Sequence, residues 1–313
     1  MVVQFGLPTA RLSPSALAVG SFDGVHLGHR AVLERLLGAA RSQQLRVAWV
    51  TFDPHPRCVL DPANCPAQIT TLEERLRLVQ QLGVQEAIVL EFTRSLAALS
   101  AEEFMQRLLV AVDLRSLVVG YDFALGKART GDVDWLRAHG RARGYGVEVV
   151  KPVRLGEREV HSSEVRRLLT LGEAEEANRF LGREFAMSGL VEPGDRIGRD
   201  IGWPTVNLAV PPTKLVPGRG IYAGWADTPD GTYQAAISVG YRPTFHKTEL
   251  RVEAYLLDFE GDLYQQRLEL RFVARLRDEV QYPDATSLGA QIARDVDDTR
   301  RILAGSRPND KAP

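Results

Sequence analysis

The chain has 313 residues, 44% hydrophobic and 25% charged, with a formal net charge of −1. That length accommodates two domains with separate cores, and the near-neutral charge argues against a protein that grips nucleic acid through phosphates. No run approaches the roughly 18 apolar residues of a membrane-spanning helix, and the N-terminal stretch lacks the basic segment and apolar block of a secretory signal. The expectation is a cytoplasmic protein with no nucleic-acid or membrane partner, monomeric or weakly oligomeric. Only Cys58 and Cys65 occur. Their spacing suits neither a zinc knuckle nor a redox Cys-x-x-Cys pair, so both are read as unpaired thiols.

In chain order, "ALAVGSF", "RVAWVTF", "EAIVLEF", "SLVVGYDF" and "VEVVKPV" read as strands separated by helical patterns, the signature of a parallel sheet built from βαβ units. Thr71-x-x-Glu74 and Ser100-x-x-Glu103 are capping boxes, followed by Leu72, Leu76 and Val79 and by Phe104 and Leu108 at helical spacing. "SSEVRRLLTLGEAEEANRFLG" is helical and closes at Gly182. From Arg183 the pattern changes to short β-type runs separated by Gly, Pro and Asp, which implies an antiparallel sheet or barrel. A last amphipathic helix follows, with Leu288, Ile292, Val296, Thr299 and Ile302 or Leu303 on one face. The spacing predicts domains at 1–183 and 184–305 and a disordered tail at 306–313.

The stretch "GSFDGVHLGH", Gly20–His29, follows the first of these strands and places two histidines at a strand-to-helix turn. The carboxyl end of a parallel sheet is where α/β folds bind ligands. Glycines there let a backbone approach an anion, and a helix N-terminus offers free N–H donors with partial positive charge. A zinc site needs further ligands, and only His55 of "TFDPHP" is an obvious neighbour. Anion binding therefore outweighs metal binding at this turn.

"HLGH" resembles the signature of the H-x-G-H nucleotidyltransferases. Together with "TFDPHP", "VVGYDFALGKARTGD" and "HSSEVRRLL" in this order, it resembles the adenylyltransferase half of the bacterial bifunctional riboflavin kinase/FMN adenylyltransferase (FAD synthetase) family. The resemblance implies an α/β Rossmann-like nucleotidyltransferase domain with a parallel sheet, followed by an antiparallel β-barrel domain with a C-terminal helix. It implies that His26, His29 and Arg166 stabilise adenylyl transfer from ATP to FMN. Gly20, Phe22, Asp23, Gly24, Gly28, Ser162 and Ser163 would contact ATP and its phosphates, and Asp122, Gly126 and Arg129 would line the FMN or nucleotide site. His161 and Ser163 stand where the family has serine and threonine.

No G-x-x-x-x-G-K-[ST] occurs, so any kinase activity does without a P-loop. "GLVEPGDRIGRDIGWPTVNL" resembles the riboflavin kinase pattern instead, with Trp203 and Val206 as departures of size. Thr205 and Asn207 alternate along an expected strand and so share a face; a hydroxyl and an amide oxygen suit Mg2+. The resemblance gives Thr205 and Asn207 the Mg2+ ion, Gly194, Gly198 and Arg199 the nucleotide loop, Glu253 the catalytic base, and Arg277 a flavin contact. The implied substrates and products are riboflavin, FMN, FAD, ATP, ADP and pyrophosphate. Two alternatives remain at this point: an H-x-G-H nucleotidyltransferase acting on another phosphorylated acceptor, and a catalytically silent flavin-binding regulator.

Overall fold

The computed structural model describes residues 1–193, 202–243 and 248–305. The expected disordered tail at 306–313 lies outside them, as do Gly194, Gly198 and Arg199. The chain forms two compact units that meet in sequence between Ser162 and Ser163.

In the first unit, β1 (Val2–Phe5), β2 (Leu12–Val19), α1 (Leu27–Gln43), β3 (Arg46–Asp53), α2 (Pro56–Leu60), α3 (Leu72–Gln81), β4 (Glu86–Glu91), α4 (Arg94–Ala97), α5 (Ala101–Ala111), β5 (Val112–Gly120), α6 (Val133–Arg143) and β6 (Gly146–Val150) follow one another. The six strands form one sheet in the order β1-β4-β3-β2-β5-β6, every pairing parallel. Ala16, Ala18, Trp49 and Ala87 face a core with Leu33 and Leu36 of α1 and Val79 of α3. Leu17, Val19, Val50 and Ile88 face the other core, with Met105 and Leu108 of α5 and Leu136 of α6. Strict alternation of buried residues along each strand thus puts helices on both faces. Strand order reverses between β2 and β5, the switch point at which such sheets bind ligands. A small hairpin, β7 (Arg154–Leu155) and β8 (Arg158–Glu159), ends the unit.

Three sequence expectations change here. The edge strand β1 was not anticipated, because four residues carry too little pattern. In α3 the buried residues are Glu74, Arg75 and Val79 rather than Leu72 and Leu76. Cys58 and Cys65 are joined in a disulfide, correcting the reading of two unpaired thiols. Helix α2 and the turn Pro62–Asn64 fold the chain back and bring the two Cα atoms to 4.2 Å, a closure that spacing rules for metal and redox pairs do not address.

In the second unit, α7 (Ser162–Thr170) and α8 (Ala174–Leu181) divide the expected single helical stretch at Gly172, which takes a φ of +79°. Gly182 caps α8 in the left-handed conformation, as its position predicts. Then β9 (Phe185–Glu192), β10 (Val206–Leu208), β11 (Gly220–Thr228), β12 (Gly231–Pro243), β13 (Thr248–Leu256) and β14 (Arg267–Arg277) close a barrel in the order β10-β13-β12-β11-β14-β9. Phe185, Tyr222, Ile237, Ala254 and Phe272 are buried in it. At Gly189 an added Cβ would lie 2.0 Å from the Ala209 carbonyl oxygen, so only glycine permits that strand approach. Helix α9 (Ala285–Leu303) packs Leu303 against Ala223 and Trp225. Among the described residues no helix is long and apolar enough to cross a membrane.

Candidate active sites

The loop leaving β2 at the switch point adopts an unusual backbone. Phe22, Gly24 and Val25 have φ values of +50°, +87° and +40°. Only glycine takes this region freely, and a β-branched valine takes it least readily; Phe22 and Val25 each cost on the order of 1–3 kcal/mol there and persist only where their surroundings over-determine them. The loop ends at His26, the N-cap of α1, whose Nδ1 accepts the His29 backbone N–H at 3.3 Å. With Nδ1 accepting, a neutral His26 carries its hydrogen on Nε2, where it is a donor for a ligand.

The His26 and His29 rings stack with centroids 3.6 Å apart and planes 17° apart, and Phe22 stacks on His29 at 4.8 Å. Two glycines make this possible. An added Cβ on Gly20 would lie 2.8 Å from the Phe22 ring, and one on Gly28 would lie 3.1 Å from His26 Cε1. Gly20 and Gly28, expected from sequence to admit a phosphate, thus also seat the rings.

Asp23 is buried, and its carboxylate accepts the backbone N–H groups of Ile69 (3.1 Å) and Thr70 (3.0 Å). Its carbonyl accepts from the Ser162 hydroxyl at 2.8 Å, which ties the expected phosphate-gripping serine to the histidine loop. Ser163 and Arg166 follow on α7. Asp122 follows β5, beside β2 in the sheet, and its carbonyl accepts from the Arg129 guanidinium at 2.7 Å. Gly126 has a φ of +76°, and an added Cβ there would lie 2.4 Å from the Ala101 backbone nitrogen, so this loop folds tightly onto the start of α5.

At the hairpin, the Glu159 carboxylate receives Arg154 at 2.6 Å, Tyr121 at 2.8 Å and His161 at 3.1 Å. Those bonds, Arg154 foremost, hold the Glu159 carboxyl down at about 2. In return, the bond to Glu159 pushes the Tyr121 phenol up to about 12.

On the barrel, Asn207 of β10 pairs with Glu253 of β13, and Glu253 pairs with Ser238 of β12. Directly paired residues share a face. These three alternate with buried Leu208, Val252, Ala254, Ile237 and Val239, so they lie on the opposite, partly covered face. Thr205 joins them, its hydroxyl donating to Glu253 Oε2 at 3.3 Å. Trp203 meets Tyr255 edge-on at 5.1 Å. Asn207 Oδ1 is buried with no hydrogen-bond partner among the described residues.

Residues 9–164 match the family model for FAD synthetase, and residues 181–303 match that for riboflavin kinase. A bifunctional riboflavin kinase/FMN adenylyltransferase of Listeria monocytogenes is 35% identical over 292 residues, 92% of each chain. One of Escherichia coli K12 is 35% identical over 93% of this chain and 94% of its own. The chain belongs to the bifunctional riboflavin kinase/FMN adenylyltransferase family. A solved structure described as a macrolide-efflux protein from Streptococcus pneumoniae also superimposes, with a TM-score of 0.88, 28% identity, and coverage of 96% of this chain and 99% of that one.

Within that family framework, Arg277 is engaged by the protein itself. Its Nε and one terminal nitrogen donate to Asp295 of α9 at 2.8 and 2.6 Å, and the other donates to the Asp278 carbonyl at 2.9 Å. Thr51, Thr70, Arg75, Tyr121, Arg154 and Glu159 were not singled out from sequence. Only Arg75 left a signal, a charged residue next to Leu76 on the expected apolar face of α3.

Proposed function

We infer that this chain catalyses two ATP-dependent transfers, riboflavin to FMN at the barrel and FMN to FAD at the N-terminal unit. The observation that carries this is the Asn207–Glu253 pairing with Thr205 on the same carboxylate, in a barrel whose chain also bears the stacked His26–His29 pair.

In the kinase step the riboflavin 5′-hydroxyl attacks the ATP γ-phosphorus, Glu253 accepts the hydroxyl proton, and the bond to ADP breaks. Magnesium fits the residues present, because the buried amide oxygen of Asn207, without a hydrogen-bond partner among the described residues, is a hard donor suited to a cation. Thr205 and Asn207 would hold it, and when bound it would neutralise phosphate charge. Gly194, Gly198 and Arg199 complete the nucleotide loop in this reading.

In the adenylyl step an FMN phosphate oxygen attacks the ATP α-phosphorus, and pyrophosphate leaves with the bonding electrons. His26 Nε2 and His29 donate to the oxygens that gain charge, while Ser162, Ser163 and Arg166 hold the outgoing phosphates. Gly20, Phe22, Asp23, Gly24 and Gly28 build the loop, and Asp122, Gly126 and Arg129 line the acceptor side. The protein works as a cytoplasmic monomer or weak oligomer with small-molecule partners only.

The test is incubation with riboflavin and Mg-ATP, then separately with FMN and Mg-ATP, followed by chromatography. FMN and FAD are expected from the first mixture and FAD from the second. Absence of both FMN and FAD from the first removes the kinase assignment, and absence of FAD from the second removes the adenylyltransferase assignment.

A further inference from the structure

Beneath the histidine loop lies a layer of buried polar side chains that neither transfer step uses. Thr70 is 3% exposed; its hydroxyl accepts the Gly24 backbone N–H at 2.9 Å and donates to Asp23 Oδ1 at 3.2 Å. Arg75, 1% exposed, reaches from α3 to the Ser21 carbonyl at 2.5 Å and to the Thr51 hydroxyl at 3.4 Å. Thr51 itself donates to the same carbonyl at 3.3 Å. Burial lowers the pKa of the Arg75 guanidinium, and the counter-charge of Asp23 and Asp53 offsets part of that effect.

The positions of these bonds matter. They fall on Ser21, Asp23 and Gly24, interleaved with Phe22 and ending just before Val25, the two non-glycine residues of this loop held at positive φ. A backbone in that region relaxes unless bonds on either side fix it. Relaxation of Val25 would swing His26 off the start of α1, and relaxation of Phe22 would withdraw the ring stacked on His29.

We propose that Thr70 and Arg75 are positioning residues for adenylyl transfer: bonded to Gly24 and Asp23 and to Ser21 respectively, they hold the strained loop that aims His26 and His29. This rests on the adenylyltransferase reading above. Neither side chain touches substrate; both act through the loop backbone. Displacing a transition-state donor by a fraction of its bond length lowers turnover far more than ground-state binding.

The test compares Thr70→Val, which keeps shape and removes the hydroxyl, with Thr70→Ser, which restores it, in the full chain. Thr70→Val should lower kcat for FAD formation from FMN and Mg-ATP about 10-fold to 100-fold, with the FMN KM nearly unchanged and FMN formation from riboflavin intact. Thr70→Ser should recover most of the rate. Full kcat in Thr70→Val, or equal damage in Thr70→Ser, overturns the proposal. Should Thr70→Val fail to fold, Arg75→Lys keeps the buried charge on a shorter side chain and draws back the one terminal nitrogen that reaches the Ser21 carbonyl and the Thr51 hydroxyl: a clear fall in kcat supports the proposal, and an unchanged kcat overturns it. A wild-type chain that makes no FAD from FMN removes the underlying reading and the proposal with it, a result distinct from a variant-specific loss.

Discussion

The Thr205 hydroxyl donates to Glu253 Oε2 at 3.3 Å, so the residue expected to hold magnesium and the residue expected to take the proton are in contact. The two roles are compatible. A donating hydroxyl keeps its oxygen lone pairs for a cation, and the carboxylate keeps its second oxygen for the substrate hydroxyl. Glu253→Gln preserves the contact's shape and removes the base. It should reduce FMN formation by roughly 10²-fold to 10⁴-fold, while FAD formation from supplied FMN continues. Riboflavin turnover at the wild-type rate in this variant would exclude Glu253 as the base.

His29→Ala tests the other site. It removes one donor and also the ring that Phe22 and His26 stack against. Loss of a preorganised donor should lower FAD formation by about 10²-fold to 10³-fold, with FMN formation unaffected. If both activities fell together in an otherwise folded variant, the two sites would not be independent.

What could be read from sequence follows a physical divide. The parallel sheet, the barrel and the final helix announce themselves through periodicity, because burial selects apolar residues at every second or every third and fourth position. The histidine loop was legible as a motif, yet its conformation was not. Positive φ at Val25 contradicts its residue type and occurs in a loop bonded to Thr70 and Arg75, some 50 residues away in sequence. Asn207 facing Glu253 likewise depends on barrel register, which no local pattern encodes. The Cys58–Cys65 pairing was missed because it depends on how α2 turns, not on spacing.

The disulfide carries its own expectation. Native chain prepared without reductant should show no reactive thiol, and reduction should release both. Constraining so short a loop stabilises by about 2 kcal/mol in the chain-entropy account. Reduction should therefore lower the unfolding midpoint of the N-terminal unit by a few degrees. Two reactive thiols in the unreduced native chain would refute the pairing.

Arg277 and Asp295 fasten α9 to the barrel. The carboxylate is 5% exposed and takes both forked donors, with Gln291 adding a bond at 2.9 Å. The bond to Asp295 holds the Arg277 guanidinium above its ordinary pKa, so the arginine stays charged at any working pH. Asp295→Ala leaves the arginine without its partner and should destabilise the barrel unit by about 2 kcal/mol, discounted because Arg277 is partly solvated. Denaturant midpoints of the variant and the wild type measure it directly, and equal midpoints would show that α9 is held by Leu303 and its apolar neighbours alone.

The Glu159 cluster sets a pH window. Its carboxyl sits at about 2 in the folded chain against an ordinary 4.5, so the interaction is complete above 4.5 and is lost as pH falls towards 2. Tyr121 moves the other way, from 10.0 to about 12, so its bond is complete below 10 and is lost as pH rises through 12. The Glu159 carboxylate and the Tyr121 phenol therefore keep their charge states across the neutral range. Phenolate absorbance provides the check: subtracting a Tyr121→Phe titration from the wild type should isolate a tyrosine still largely protonated at about pH 11, where an ordinary phenol is mostly ionised. In Glu159→Gln the Tyr121 ionisation should move back towards 10, because the carboxylate that opposes loss of its proton is gone.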